Sequence, residues 1–330
     1  MGTIRVATFN IENLLQRFNF YSYGRLTAER TLRLLGVGQE TTEYMPLRKS
    51  LTIALTDDSR QQTAQAIRDT RADIICMQEV ESKEILDDFH EFYLKRGAGV
   101  HYGWRRCLEG NDNRGIDVAV MSVPRINVTS HADITFGDFD LYSDEIRNYG
   151  LSEGEGIFRR DCLEVEVKVD NKPLYVFVCH FKSMSGGRAE TRCVREAEAK
   201  AVRRIINEKF DDPTQADWLI VGDLNDYVTE SGHGLEPLFE DNFALNLIEA
   251  LPDNERWTHY YAGDNSKHQI DYILASPSLA DKNPDAVPEI IRAGQPYRVP
   301  LTNEIKRYPR IGYDRPKASD HCPVVVELNV

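Results

Sequence analysis

The sequence predicts an α/β protein, and three observations carry that prediction. Short apolar runs such as Trp218 to Val221, stopped at once by a glycine, read as strands buried on both faces. Stretches with helical spacing lie between them, the longest from Arg188 to Lys209. A strictly alternating run, Asp161 to Val169, is joined through Asn171-Lys172-Pro173 to Leu174 to Cys179, which is the pattern of a hairpin. Periodicity by itself supports alternating strands and helices and goes no further.

In chain order, Ile4 to Asn10 forms the first strand, with Ile4, Val6 and Thr8 on one face. From Phe18 to about Ser59 the periodicity weakens over a span longer than ordinary connections, which predicts an insertion forming a lid or side wall. Helical spacing returns at Gln62 to Thr70, and Ala72 to Gln78 is a second buried strand ending in Glu79. Glu84 to Lys95 reads as an amphipathic helix carrying Ile85, Phe89, Phe92 and Tyr93. Tyr102 to Glu109 and Ile116 to Val123 flank the turn GNDNRG as successive strands, and residues 130–156 read as a long surface loop. The Asp161 strand alternates as a half-exposed strand does, and His180 ends its hairpin partner. Then follow the central strand at Trp218, a helical stretch near Pro237 to Glu249, an aromatic loop from Trp257 to Tyr261 and a strand from Gln269 to Ala275. A proline-rich connection, 276–317, leads to the terminal strand Val324 to Leu328. Neither a repeat nor a charge block divides the chain, so residues 1–330 read as a single domain.

Composition narrows the function. With 330 residues, 41% of them hydrophobic, the chain can bury a sizeable core, and its apolar stretches fall short of the roughly 20 residues that a membrane span needs. The N-terminus enters a strand pattern without a secretory leader, so the chain as given reads as cytoplasmic unless a signal peptide has been removed. Six cysteines without CxxC spacing read as buried free thiols. Forty basic against 53 acidic residues, a net charge of −13, argues against broad electrostatic capture of duplex DNA while leaving room for a local basic groove. No obligatory protein partner is evident.

Chemistry concentrates where apolar runs end. In WLIVGDLND, alternation sends Asp223 and Asn225 to one side and Leu224 back to the core, and Gly222 leaves room for a ligand to approach. A carboxylate beside a carboxamide can handle one water and one anionic oxygen. Asn10, Glu79, His180, Asp271, Asp320 and His321 stand at comparable positions. Carboxylate and amide oxygens favour a hard cation such as Mg2+, and zinc is disfavoured without a Cys or paired-His cluster. Arg114, Arg160, Asp161 and Lys182 are further candidates for phosphate contact or for support. Arg188, Arg192 and Arg195 share one helix face that either borders the site or is solvated, and Trp257, Tyr260 and Tyr261 either stack a base or pack their loop.

The segments TFNIENL, MQEVES, RGIDVAVMS, CHFKS, VGDLND, QIDYILAS and ASDHCPV resemble, in order, the signature motifs of the endonuclease/exonuclease/phosphatase superfamily, the deoxyribonuclease I-like group, in its bacterial nuclease-like branch. The resemblance spans nearly the whole chain. It implies a four-layer α/β sandwich, two mixed β-sheets packed face to face with helices on both outer sides. It also implies a divalent-metal-dependent phosphoesterase that cleaves nucleic-acid phosphodiesters by in-line attack of water, or alternatively a lipid or small-molecule phosphoester, with a non-catalytic binding protein that keeps the fold as the third reading. Glu79 would be the principal ligand of Mg2+, or of Mn2+ or Ca2+ in its place, with Asn10 and Asp320 beside it. His321, oriented by Asp271, would act at the phosphate, Asp223 would align or deprotonate the water, and Asn225 and His180 would hold phosphoryl oxygens. Either His321 or Asp223 has suitable chemistry for the proton transfer.

Overall fold

Two-residue alternation along the strands decides the architecture. The computed structural model describes residues 2–14, 29, 32–33, 36–42 and 44–330, so much of the insertion expected from Phe18 to Ser59 lies outside the described residues. One sheet joins six strands in the order β13-β14-β1-β2-β4-β3, where β1 is Thr3–Leu14, β2 Ile74–Val80, β3 Trp104–Cys107, β4 Asp117–Ser122, β13 Glu289–Ile290 and β14 Val324–Asn329. The other joins β5 (Ile126–Thr129), β6 (Leu163–Val169), β7 (Lys172–His180), β8 (Trp218–Asp223), β12 (Asp271–Ala275) and β9 (Leu245–Asn246) in that order. Both are mixed: β1 with β2 and β7 with β8 are parallel, and the remaining pairs are antiparallel.

The inner faces of the sheets meet in one apolar layer. Ile4, Val6, Ile74, Cys76, Val118 and Val120 of the first sheet pack against Val165, Val176, Val178, Leu219, Val221 and Ile273 of the second. The alternate residues face outward. Phe9, Ile75 and Met77 pack under the helices Tyr44–Thr70 and Lys83–Phe89, using Ile67, Leu86 and Phe89. On the opposite side Phe177, Ile220 and Leu274 pack under the helix Arg188–Lys209, using Val194, Val202 and Ile205. The result is the four-layer sandwich expected from the resemblance. Each fully buried aliphatic side chain in these layers contributes about 1.5–3 kcal/mol.

Several expectations change. The helix anticipated from Gln62 begins at Tyr44, ahead of any clear apolar stripe. The amphipathic helix at 84–95 is α-helical only over Lys83–Phe89 and continues as a π-helical segment, His90–Ala98. Residues 130–156 are not a simple surface loop: Phe136, Ile146 and Leu151 are buried in the outer core, and Asp144–Tyr149 is a short helix capped by Ser143. These anchors are too irregularly spaced to show a period. The stretch near 237–249 forms 3-10 turns rather than a regular helix, and the aromatic loop at 257–261 forms a small hairpin of β10 (His259–Tyr261) and β11 (Ser266–His268). The proline-rich connection contains the helix Pro277–Lys282 and β13. The outward face of β6 is half exposed as expected: Glu166 is half-buried and Lys168 exposed, while Glu164, paired with Lys209 at 2.8 Å, is buried.

Gly222 serves the backbone and not a ligand. Its φ is +141°, and a Cβ there would lie 1.9 Å from the carbonyl oxygen of Cys179 on β7. Close approach of the parallel strands is what excludes a side chain. Arg195, which follows the spacing of a solvated face, is fully buried, and its Nε lies 2.8 Å from Oδ2 of the equally buried Asp226. The other Asp226 oxygen receives Arg188 Nε at 2.7 Å. The helix is thereby bolted to the loop that follows β8. Asp226→Ala strands a buried guanidinium and should destabilise the fold by about 3–5 kcal/mol. Urea denaturation measures this; a midpoint equal to that of the parent would discard the bolt.

Candidate active site

The inner apolar layer turns polar at one end, and the alternation that built the layer builds this end too. Val176, Val178 and His180 succeed each other on the inner face of β7, Leu219, Val221 and Asp223 on β8, and Ala275, Ile273 and Asp271 on β12. Register makes His180 the neighbour of Asp223, and Asp223 the neighbour of Asp271. On the first sheet Ile4, Val6, Thr8 and Asn10 make the corresponding series along β1, and Thr8 hydrogen bonds Gln78 of β2. Glu79 has the wrong parity for the inner face. A break in register between Met77 and Val80, with Glu79 at φ +67°, redirects the chain, and β1 breaks register alongside it between Asn10 and Leu14.

Asp223 is the meeting point. Its Oδ2 accepts a hydrogen bond from Asn10 Nδ2 at 3.0 Å and lies 3.6 Å from His180 Nε2 and 3.8 Å from His321 Nε2. Its Oδ1 accepts from the backbone N–H of Asn225 at 2.9 Å. Asn225, at φ +52°, donates its amide to the carbonyl of Phe181 at 3.1 Å, so one amide hydrogen is committed and one is left. His321 Nδ1 lies 2.9 and 3.1 Å from the two oxygens of Asp271, whose backbone N–H is received by Thr258 Oγ1 at 3.1 Å. Ser319 closes the pocket, donating from Oγ to the carbonyl of Asn10 at 2.7 Å and receiving the N–H of His321 at 3.0 Å.

Burial and neighbouring charges set the protonation states. Desolvation, partly offset by His321, raises the Asp223 carboxyl to about 7. Burial alone would lower His321, but Asp271 and Asp223 outweigh it and hold the imidazolium well above the ordinary histidine range. Burial drives His180 the other way, with the nearby cations Arg160, His321 and Arg114 adding to the effect, so that it is neutral. Glu79 is raised by burial and then by the adjacent charge of Asp320. Asp320 is held low: burial opposes its ionisation, and Lys317, His321 and His259 prevail.

The candidate ligands for a divalent cation offer the kind of donors such an ion takes. Glu79 makes no side-chain hydrogen bond among the described residues and is repelled by Asp320 and Glu12, a state that a cation would relieve. Asn10 Oδ1 accepts only the N–H of Glu12 at 3.1 Å, which leaves a lone pair. Oxygen donors of this kind suit Mg2+. Among the described residues, two groupings of His and acidic residues hold ligand atoms within 4.8 Å of one another, His259, Asp320 and His321, and Asp223, Asp271 and His321; Glu79 belongs to neither.

The outer candidates divide. Arg160 is buried, its Nη1 donating to the Phe181 carbonyl at 3.2 Å and its Nε 2.9 Å from Asp112, a charge contact without hydrogen-bond alignment. Arg114 is exposed on the same Asp112, with Nη2 2.9 Å from Oδ2, and its charge reaches Glu79 and His180. Lys182 turns its ammonium to the Ser183 carbonyl at 2.9 Å, and Asp161 receives the N–H of His131 at 2.8 Å. Trp257 is occupied by Lys267 at 4.6 Å and Arg292 at 4.5 Å, and Tyr260 is buried. Sequence reasoning passed over His259, whose ring sits 4.6 Å from that of His321 across an isolated β-bridge. Its strand has three residues and no apolar run, so no pattern marks it. Glu12, paired with Arg315 and with Lys317 at 2.9 Å, lies inside a quoted motif and could have been found there.

A family model described as Endonuclease/Exonuclease/phosphatase family matches residues 56–329. No curated protein matches. Among solved structures, the chain is similar to truncated Caenorhabditis elegans TDP2, with 14% identity over 99% of this chain and 98% of that one and a TM-score of 0.54. It is similar to an endonuclease/exonuclease/phosphatase from Beutenbergia cavernae DSM 12333, with 16% identity, 100% and 72% coverage and a TM-score of 0.56. The Staphylococcus aureus beta toxin 275-280 matches with 14% identity, 98% and 99% coverage and a TM-score of 0.58. At such identities the likeness speaks for the fold alone.

The His321–Asp271 pair gives a signed prediction. Because the folded value of His321 is raised above the ordinary 6.5, the pair contributes its full stability below that pH and loses it as pH rises through the folded value. Asp271→Asn removes the nearest anion and should lower the His321 titration midpoint, read from its ring proton by NMR. An unmoved midpoint would show that Asp271 does not set it.

Proposed function

We propose, on the premise that this chain belongs to the endonuclease/exonuclease/phosphatase family, that it hydrolyses phosphodiester bonds of nucleic acid with the help of a divalent cation. Members of the family are hydrolases of phosphoester bonds, and the candidate site has the donors that such chemistry uses. The observation that carries the proposal is the pairing of a raised carboxyl with a raised imidazolium. Asp223, at about 7, is a base near neutral pH, and His321, 3.8 Å away, still holds its proton there.

Glu79, Asp320 and the Oδ1 of Asn10 would hold the cation. When bound, Mg2+ or Mn2+ supplies positive charge to a phosphoryl oxygen and to the departing oxygen. Asp223 takes a proton from the attacking water, and its own position is held by Asn10 and by the Asn225 N–H. His321 donates a hydrogen bond to the phosphate, with Asp271 fixing its ring and stabilising its charge. Neutral His180 and the free amide hydrogen of Asn225 grip non-bridging oxygens, and Arg114 adds charge at the rim. The net charge of −13 favours a second reading, a lipid or small-molecule phosphoester, over long-range attraction of a polyanion.

Activity on plasmid, single-stranded DNA, RNA, sphingomyelin and inositol phosphates separates the readings. EDTA should abolish turnover, and Mg2+ or Mn2+ should restore it. Glu79→Ala, Asp223→Asn and His321→Ala should each lower kcat by about 10²–10⁴-fold while keeping the far-UV circular dichroism of the parent, with His321→Ala also lowering the thermal midpoint because it leaves the buried Asp271 unpaired. Turnover of sphingomyelin or inositol phosphates alone selects the second reading, and full activity in EDTA rejects both.

A further inference from the structure

We propose that the segment from Arg292 to Lys317, together with the hairpin tip at Tyr261, is a binding track for single-stranded nucleic acid that leads into the candidate site. This rests on the nucleic-acid reading above and names its substrate class. Charge is the first observation. Seven basic side chains stand between Arg292 and Lys317; Arg292, Arg298, Arg310, Arg315 and Lys317 face Glu255, Asp314, Asp58 and Glu12, while Lys306 and Arg307 make no ion pair among the described residues. Lys306 and Arg307 are the cations of this segment left to meet a phosphate.

Exposure is the second. Tyr261, Tyr297 and Tyr313 are 55%, 59% and 69% exposed, large apolar side chains left in solvent. Their backbones are stitched into one surface. The N–H of Tyr297 reaches the Gly312 carbonyl at 3.0 Å and that of Arg298 reaches the Tyr313 carbonyl at 2.9 Å, while Arg298 Nη2 donates to Ala262 at 2.9 Å, next to Tyr261. The rings stand in solvent while their backbone anchors are fixed, which lowers the ordering cost of a ligand that stacks on them.

The third observation is continuity with the site. Gln295, two residues before Tyr297, donates from Nε2 to the carbonyls of His321 at 2.9 Å and Ser319 at 3.2 Å. Arg307 donates to the Gln295 carbonyl at 3.0 Å, and its guanidinium stands 4.7 Å from the Tyr297 ring. Rings beside guanidinium groups accept unstacked bases and their phosphates, which a closed duplex does not offer. The patch carries phenols and arginines and no exposed Trp, Phe or Leu among the described residues, an inferior composition for entering a lipid surface.

Fluorescence anisotropy of a short labelled oligothymidylate, with EDTA present to separate binding from cleavage, tests the track. Wild type should bind it more tightly than a duplex of equal length, and Tyr297→Ala and Tyr313→Ala should each weaken binding by about tenfold, with tryptophan at either position retaining it. Alanine variants that bind like wild type, or that lose binding to phosphatidylcholine vesicles instead, overturn the track. Cleavage of oligonucleotides that ignores both tyrosines also overturns it while leaving the hydrolytic reading intact. Tyrosine-dependent binding without any Mg2+-dependent cleavage keeps the track and removes that reading.

Discussion

A carboxylate at the bottom of a protein has to be compensated, and this fold is arranged around compensating Asp223. Burial makes its charged form costly, and its partners answer from four directions: Asn10, Asn225, His180 and His321 all approach its two oxygens. No single element could supply these groups. Asn10 comes from the first sheet, His180 from the second, and His321 from the turn before the last strand. The two sheets must therefore close on each other before the carboxyl has its company, which ties the chemistry to the tertiary fold.

The means are ordinary β-sheet properties. Registers that align Val178 with Val221 and Val221 with Ile273 continue two residues onward to align His180, Asp223 and Asp271. Apolar packing thus positions the polar row without any dedicated scaffold. Where the row needs a residue of the wrong parity, the strand bulges, as at Glu79, and where two strands must close up, the side chain is omitted, as at Gly222.

This explains which parts of the site were legible. Asn10, His180, Asp223 and Asp271 each terminate an apolar run, and that boundary is visible in one dimension. The facing of Glu79 was not visible, because the bulge that turns it is a property of two strands together. Gly222 was misread for the same reason: the carbonyl it accommodates belongs to β7. The buried Arg195–Asp226 pair joins residues 31 apart, so helical spacing alone made Arg195 look solvated. The anchors between 130 and 156 follow no period and look like a loop until the helix Arg188–Lys209 is placed beneath them. Elements with regular spacing were readable, and long-range pairings were not.

The hydroxyl of Ser319 joins the carbonyl of Asn10 to the N–H of His321, spanning 309 positions of chain. Strand β1, moreover, lies against β14, the strand that follows this junction. The first strand and the pocket histidine are thus fastened to each other as well as through β14, so a fault at either end of the sheet reaches the pocket.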